Sequence, residues 1–221
     1  RTGRMCAMMV SGFKPEQYEY NFRIDTKICQ DPYARGLAGR EAFGRVSEDK
    51  DEHRIRCSFP NLREYNWEGD VSPGISYQDM ILYKVHVRGY TRQAKVAPKK
   101  RGTFAGLKEM IPYWKELGIN AIELMPVNEF EGNSSWGYNP SFYFAVDKYY
   151  GTKNDMRAFV DECHRQGIAV IIDLVLNHSF GQSPFYLLYR EADGTPSADN
   201  PWYNQKSNIP NAALQWGYDF N

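Results

Sequence analysis

Three apolar runs constrain this chain more than any other feature: Met80 to Val87, Ile119 to Met125, and Ile168 to Val175. Each has the length and composition of a buried strand. Between the first two, Thr103 to Leu117 sets Leu107, Met110, Ile111, Trp114 and Leu117 on one helical face. Pro112 lies inside that stretch and predicts a kink or two short helices, with Gly118 suited to follow the last turn. Between the second and third runs, Thr152 and Asp155 have capping-box spacing. The helix they open buries Met156, Phe159, Val160 and Cys163 and ends at Gly167. Strands that are apolar on both faces and alternate with helices predict a parallel sheet covered by helices, an α/β fold. A doubly wound sheet and a (β/α)8 barrel both fit that order. No G-x-G-x-x-G follows any strand, which disfavours a dinucleotide site. The loops after the strands are long and rich in Trp, Tyr, Asn and His, which is where barrel enzymes carry their sites.

Residues 1–78 read differently. Short apolar stretches alternate with turn signals at Ser11-Gly12, Lys14-Pro15, Asp31-Pro32, Gly36, Gly39 and Pro60-Asn61. Tyr18, Tyr20, Phe22 and Ile24 alternate with Glu19, Asn21 and Arg23, which predicts a half-buried strand with an aromatic face. No helical pattern precedes residue 80. The expected organisation is therefore an immunoglobulin-like β-sandwich over 1–78, incomplete at its start, followed by the first three strands of a (β/α)8 barrel over 79–221.

Charge and cysteines narrow the function classes. Basic and acidic residues balance at 27 each, so no basic excess points to a nucleic-acid partner. Lys99, Lys100 and Arg101 read as a solvated loop before Gly102. No apolar run approaches the ~20 residues of a membrane span. Cys6, Cys29, Cys57 and Cys163 have no zinc or redox spacing, and Cys163 reads as a small core residue. They give no disulfide framework, which favours the cytoplasm without excluding secretion. The first residue is Arg1 rather than Met, so no leader can be read from this end.

Three residue clusters sit just past the strand ends: His86-Val87-Arg88-Gly89, Trp136-Gly137-Tyr138-Asn139-Pro140, and Asp173-Leu174-Val175-Leu176-Asn177-His178. Singly, each has a plain structural reading: a loop-capping Asp, a satisfied His, a packed aromatic turn. A barrel brings all three to one face, where they can share a site. The 16 Tyr and 5 Trp also suit sugar binding, because pyranose C–H faces pack on aromatic rings, although an aromatic core gives the same count.

These stretches resemble glycoside hydrolase family 13, the α-amylase superfamily. Asp173 to His178 is similar to its D-x-x-x-N-H segment at the end of the third barrel strand, and Gly118 to Val127 to its second strand. Trp136 to Pro140 and Tyr150-Gly151-Thr152 resemble the loop and helix entry that follow, and His86 to Thr91 resembles the first strand of debranching and branching members. Asp31-Pro32-Tyr33-Ala34, Pro60-Asn61-Leu62 and Trp67-Glu68-Gly69-Asp70 resemble the starch-binding-like sandwich that precedes the barrel in pullulanases, isoamylases and branching enzymes. One departure is that Ser134-Ser135-Trp136-Gly137-Tyr138-Asn139-Pro140 replaces the Y-N-W-G-Y-D-P of typical type I pullulanases.

The resemblance implies an α-glucan partner, starch or glycogen, and retaining hydrolysis of α-1,4 or α-1,6 bonds. Tyr138 and Trp136 would contact the sugar, with Tyr138 stacking on the ring beside the scissile bond, and His178 would hydrogen-bond its hydroxyls. Asp173 would support from behind, orienting an Arg near the nucleophile, and Asn177 would brace the loop. No cofactor is required. In some amylases the residue matching Asn177 binds calcium, but no oxygen-ligand set can be assembled from this sequence. The nucleophile and general acid of such a glycosidase lie on the fourth and fifth strands, so both are expected beyond residue 221, and these residues alone are expected not to hydrolyse α-glucans. Two alternatives remain at this stage: a non-catalytic α-glucan-binding module, and a glucan-branching transferase.

Overall fold

A computed structural model describes residues 7–39, 55–59, 65–132 and 134–221. Cys6 and the Pro60-Asn61-Leu62 turn lie outside the described residues. The described strands are β1 (Glu19–Tyr20), β2 (Phe22–Ile24), β3 (Lys27–Cys29), β4 (Leu37–Ala38), β5 (Arg56–Ser58), β6 (Leu82–Val85), β7 (Ala121–Leu124), β8 (Asn128–Phe130), β9 (Pro140–Val146), β10 (Ala169–Ile172), β11 (His178–Ser179) and β12 (Tyr218–Asp219). The helices are α1 (Val87–Thr91), α2 (Phe104–Lys108), α3 (Ile111–Glu116), α4 (Lys153–Arg165) and α5 (Pro184–Leu187).

The three apolar runs form one parallel sheet, side by side in chain order as β6-β7-β10. Val85 pairs with Leu124, and Leu124 with Ile172. Val85, Ile122 and Leu124 share one face and are almost fully buried. Against them pack Phe104, Leu107, Ile111 and Trp114 from α2 and α3, and Phe159 and Cys163 from α4. All these helices cover the same face of the sheet. A doubly wound sheet places helices on both faces, whereas a barrel keeps them outside and turns the other face inward.

Local chemistry sets the helix boundaries. Pro112 sits in the first turn of α3, where its missing N–H costs nothing, so the predicted helical stretch divides into α2 and α3. Thr103 accepts from the Gly106 N–H to open α2. Thr152 and Asp155 form the capping box of α4 reciprocally. Gly118 and Gly167 follow α3 and α4 with φ of 78° and 72°. Leu117 departs from the predicted helical face. It is the C-cap residue that follows α3 and is 52% exposed, with Gly118 ending the helix there.

The N-terminal region corrects a second expectation. The Tyr18–Ile24 alternation is not one half-buried strand. It divides at Asn21 into β1 and β2, and Tyr18, Phe22 and Ile24 are exposed. β1 joins β5 and β4 in a three-stranded antiparallel sheet, while among the described residues β2 pairs with β3. All three residues of β2 are exposed. Ala34, Ile55 and Cys57 instead form a small core with Phe142 and Ala145 of β9. Two polar contacts fix the following segment to α4: Tyr65 Oη donates to Asp161 Oδ2 at 2.8 Å, and His164 Nδ1 lies 2.8 Å from Asp70 Oδ1. Among the described residues no helix is long and apolar enough to cross a membrane.

Candidate functional site

The β6-β7-β10 face opposite the helices carries charge. Lys84 of β6 and Glu123 of β7 are paired in register, and Lys84 Nζ lies 2.7 Å from Glu123 Oε1. The same ammonium lies 2.7 Å from Asp173 Oδ2, one residue past β10. Tyr138 Oη also donates to Asp173 Oδ2 at 2.7 Å, and Lys84 Nζ stands 5.8 Å from the Tyr138 ring centre. One carboxylate oxygen thus accepts from an ammonium and a phenol. Burial alone would raise the Asp173 pKa, but the hydrogen bonds from Lys84 and Tyr138 and the Lys84 charge outweigh it and hold the carboxyl below its ordinary value. Hydrogen bonds to Asp173 and then Glu123 raise the Lys84 ammonium. Burial, then the bond to Asp173, raises the Tyr138 phenol.

The loop carrying Tyr138 is held from two sides. It tops the hairpin β8–β9, whose antiparallel pairing includes register shifts on either side of Glu129. Gly137 has φ of 96° and lies close under the Pro126 carbonyl. From β6, His86 accepts the Gly89 N–H on Nδ1, capping α1. Its Nε2 then carries the proton and faces Ser135 O at 3.1 Å and Tyr150 Oη at 3.2 Å. Burial lowers the His86 pKa, in keeping with a neutral ring.

His178 begins β11 and is 7% exposed. Its Nδ1 lies 2.8 Å from Asn177 Nδ2 and its Nε2 lies 3.2 Å from Tyr138 O. An amide N–H donating to Nδ1 leaves the proton on Nε2, aimed at the Tyr138 carbonyl. The His178 carbonyl accepts from Tyr143 Oη at 2.7 Å, tying β11 to β9. Trp136 is 73% exposed and Tyr138 37%.

The structure therefore brings Tyr138, Asp173, Asn177 and His178 together, with Trp136 at the outer edge. It places Lys84 on Asp173. Reasoning from the sequence did not identify Lys84, Glu123, Ser135 or Tyr150. For the first two a signal existed, because opposite charges interrupt two otherwise apolar strands. Asn177 turns its amide nitrogen to His178, and among the described residues no group of three or more His, Cys, Asp or Glu could hold a metal ion.

Comparison with known proteins identifies the family. Residues 57–220 match the family model for the alpha amylase catalytic domain. Chloroplastic isoamylase 1 of Arabidopsis thaliana is 33% identical over 193 residues, covering 76% of this chain and 24% of its own length. The glycogen operon protein GlgX homolog of Haemophilus influenzae is 32% identical, covering 96% and 36%. Among solved structures, a putative alpha amylase from Salmonella typhimurium superposes with a TM-score of 0.70 at 25% identity, over 96% of this chain and 30% of that one. A Group B Streptococcus pullulanase solved with maltotetraose gives 0.60 at 27% identity, over 76% and 26%. The chain spans about a quarter to a third of the length of these relatives. With three consecutive parallel strands, helices on a single face and strand-end residues gathered at one site, the chain carries part of a (β/α)8 barrel and belongs to the alpha amylase catalytic-domain family.

Proposed function

We propose that the protein containing this chain is a retaining α-glucan hydrolase that cleaves α-1,4 or α-1,6 glucosidic bonds of starch or glycogen. The observation that carries this reading is the convergence of Tyr138, Asp173 and His178 past β7 and β10 of a barrel sheet. Retaining hydrolysis needs a carboxylate to attack the anomeric carbon and an acid to protonate the leaving oxygen, about 5–5.5 Å apart. Asp173 does not supply either role, because its Oδ2 is engaged by Lys84 and Tyr138. Its role is to hold the sugar-binding wall. Tyr138 stacks on the ring beside the scissile bond, Trp136 extends that apolar surface, and His178 hydrogen-bonds the sugar hydroxyls after exchanging its bond to the Tyr138 carbonyl. Asn177 fixes the His178 ring. No cofactor enters this scheme.

We also propose that residues 1–78 belong to a β-sandwich that precedes the barrel, with the barrel beginning near residue 79. The short antiparallel strands β1 to β5 support that division.

The test is reducing-end release from starch, glycogen and pullulan by the full-length protein, with Tyr138→Ala and His178→Ala beside it. Loss of stacking costs on the order of 0.5–1.5 kcal/mol beyond area burial, and more where the contact tightens in the transition state. Full activity in both variants would refute these roles. Binding of α-glucans without turnover by the wild type would favour a non-catalytic binding protein.

A further inference from the structure

We propose that Lys84 is a positioning residue, which holds the Asp173 carboxylate and the Tyr138 ring in the arrangement that receives the sugar. The proposal rests on the functional reading above and extends it to a side chain on the first strand.

Three features support it. Lys84 is the cation of a closed set: its ammonium is 2.7 Å from both Glu123 and Asp173, and Tyr138 shares the same Asp173 oxygen. The set spans three neighbouring strands and the β8–β9 loop, so one side chain joins every element that carries a strand-end cluster. It is also charged on a face where the rows of adjacent strands would otherwise be apolar. Placing a lysine between two acids there needs a reason beyond packing, since Ile171 lies beside Glu123 in the same row.

The geometry specifies what Lys84 does. Asp173 Oδ2 accepts from Lys84 Nζ and Tyr138 Oη, so the direction of its lone pairs is set by the cation. Glu123 of β7 holds the same cation at 2.7 Å. With the ammonium removed, Glu123 and Asp173 lose the cation they share, and two like charges remain at neighbouring strands. Among the described residues the groups acting directly on the Asp173 carboxyl are the Lys84 ammonium and the Tyr138 phenol, and Glu123 reaches it through Lys84.

The test uses the full-length protein with Lys84→Met, Lys84→Arg, Asp173→Asn and the Lys84→Met/Asp173→Asn pair. The first readout is independent of turnover: titration of the aspartate carboxyls by NMR in 13C-labelled protein, with Asp173 assigned by its disappearance in Asp173→Asn. An opposite charge within hydrogen-bond distance lowers a carboxyl pKa by roughly 1–3 units. Lys84→Met is therefore expected to move the Asp173 titration upward by about one unit or more, and Lys84→Arg to return it. The second readout is the pH profile of kcat/KM on soluble starch. Lys84→Met shifts its acid limb to higher pH and lowers its plateau about tenfold or more, Lys84→Arg restores most of both, and the double variant is no worse than Asp173→Asn.

An unmoved Asp173 titration in Lys84→Met overturns the proposal, as do losses that add in the double variant. If Lys84→Met does not fold, Lys84→Gln takes its place in both readouts with the same expectations. A wild-type protein inactive on all three glucans refutes the functional reading while leaving the NMR test of Lys84 intact.

Discussion

Gly137→Ala isolates the step from backbone to site. Gly137 has φ of 96°, and a Cβ built there would lie 2.3 Å from the Pro126 carbonyl oxygen and 3.0 Å from the Pro126 carbon. Ordinary contact begins about 1 Å further out, and the obstacle is backbone, which cannot swing aside like a side-chain tip. The positive φ adds roughly 1–2 kcal/mol for any residue with a Cβ. The loop must therefore shift by about 1 Å, and the next residue is Tyr138. Such a shift breaks its 2.7 Å bond to Asp173 and tilts its ring. A displacement of that size near reacting groups costs on the order of 100-fold in rate. Gly118→Ala is the control: its φ is 78°, but nothing lies within 4 Å of the added Cβ, so it suffers the strain without the clash. In the full-length protein, kcat/KM on soluble starch and thermal midpoints are measured for both. Gly118→Ala is expected to lower the midpoint and leave kcat/KM unchanged. Gly137→Ala is expected to lower the midpoint further and kcat/KM about 100-fold. Equal, unimpaired turnover in the two variants would refute the claim that Gly137 sets the Tyr138 position.

Three further outcomes can be measured. Asp147 is buried beside Glu129, and first burial, then the Glu129 charge, raise its pKa to about 7; Asp147→Asn should therefore gain stability relative to wild type as pH rises from about 4 through about 7, and denaturant midpoints across that range that track each other would contradict this. Thr152→Ala removes the acceptor for the Asp155 N–H and should cost about 1 kcal/mol in denaturant unfolding without changing KM. His86→Ala uncaps α1 and releases the Ser135 carbonyl, so KM for soluble starch should rise severalfold, while His86→Asn, which keeps a cap, should recover stability but not KM.

The barrel strands could be read from sequence because their neighbours punctuate them. Gly118 and Gly167 end the helices, Thr152 and Asp155 open one, and Pro112 divides another, each through a local rule that tertiary contacts then reinforce. The N-terminal strands could not be read in the same way. Tyr18 and Tyr20 alternate correctly for a half-buried strand, but their partners come from outside that run. Phe13 stacks on Tyr18 at 4.8 Å and Phe59 on Tyr20 at 4.7 Å. Period-two alternation cannot show whether a second layer exists to cover it, and the burial here comes from β9 instead. The β8–β9 hairpin was missed because a long loop after a barrel strand reads as irregular until Phe142 and Ala145 find their core across the chain.

The site divides along the same line. That Tyr138, Asp173 and His178 lie near one another was legible because each stands in a cluster just past a barrel strand. Lys84 was not, because a single charge in an apolar run looks like a residue tolerated at a strand edge. Only the register shows its meaning: Lys84 faces Glu123 directly, and Asp173 follows the strand on the other side of Glu123. A parallel sheet converts two isolated charges, 39 residues apart in sequence, into one row, and a third carboxylate at the rim completes it. The Tyr138 hydroxyl then links that row to a loop from a different part of the chain. Sequence motifs thus locate Tyr138, Asp173 and His178, whereas strand register locates Lys84 between Glu123 and Asp173.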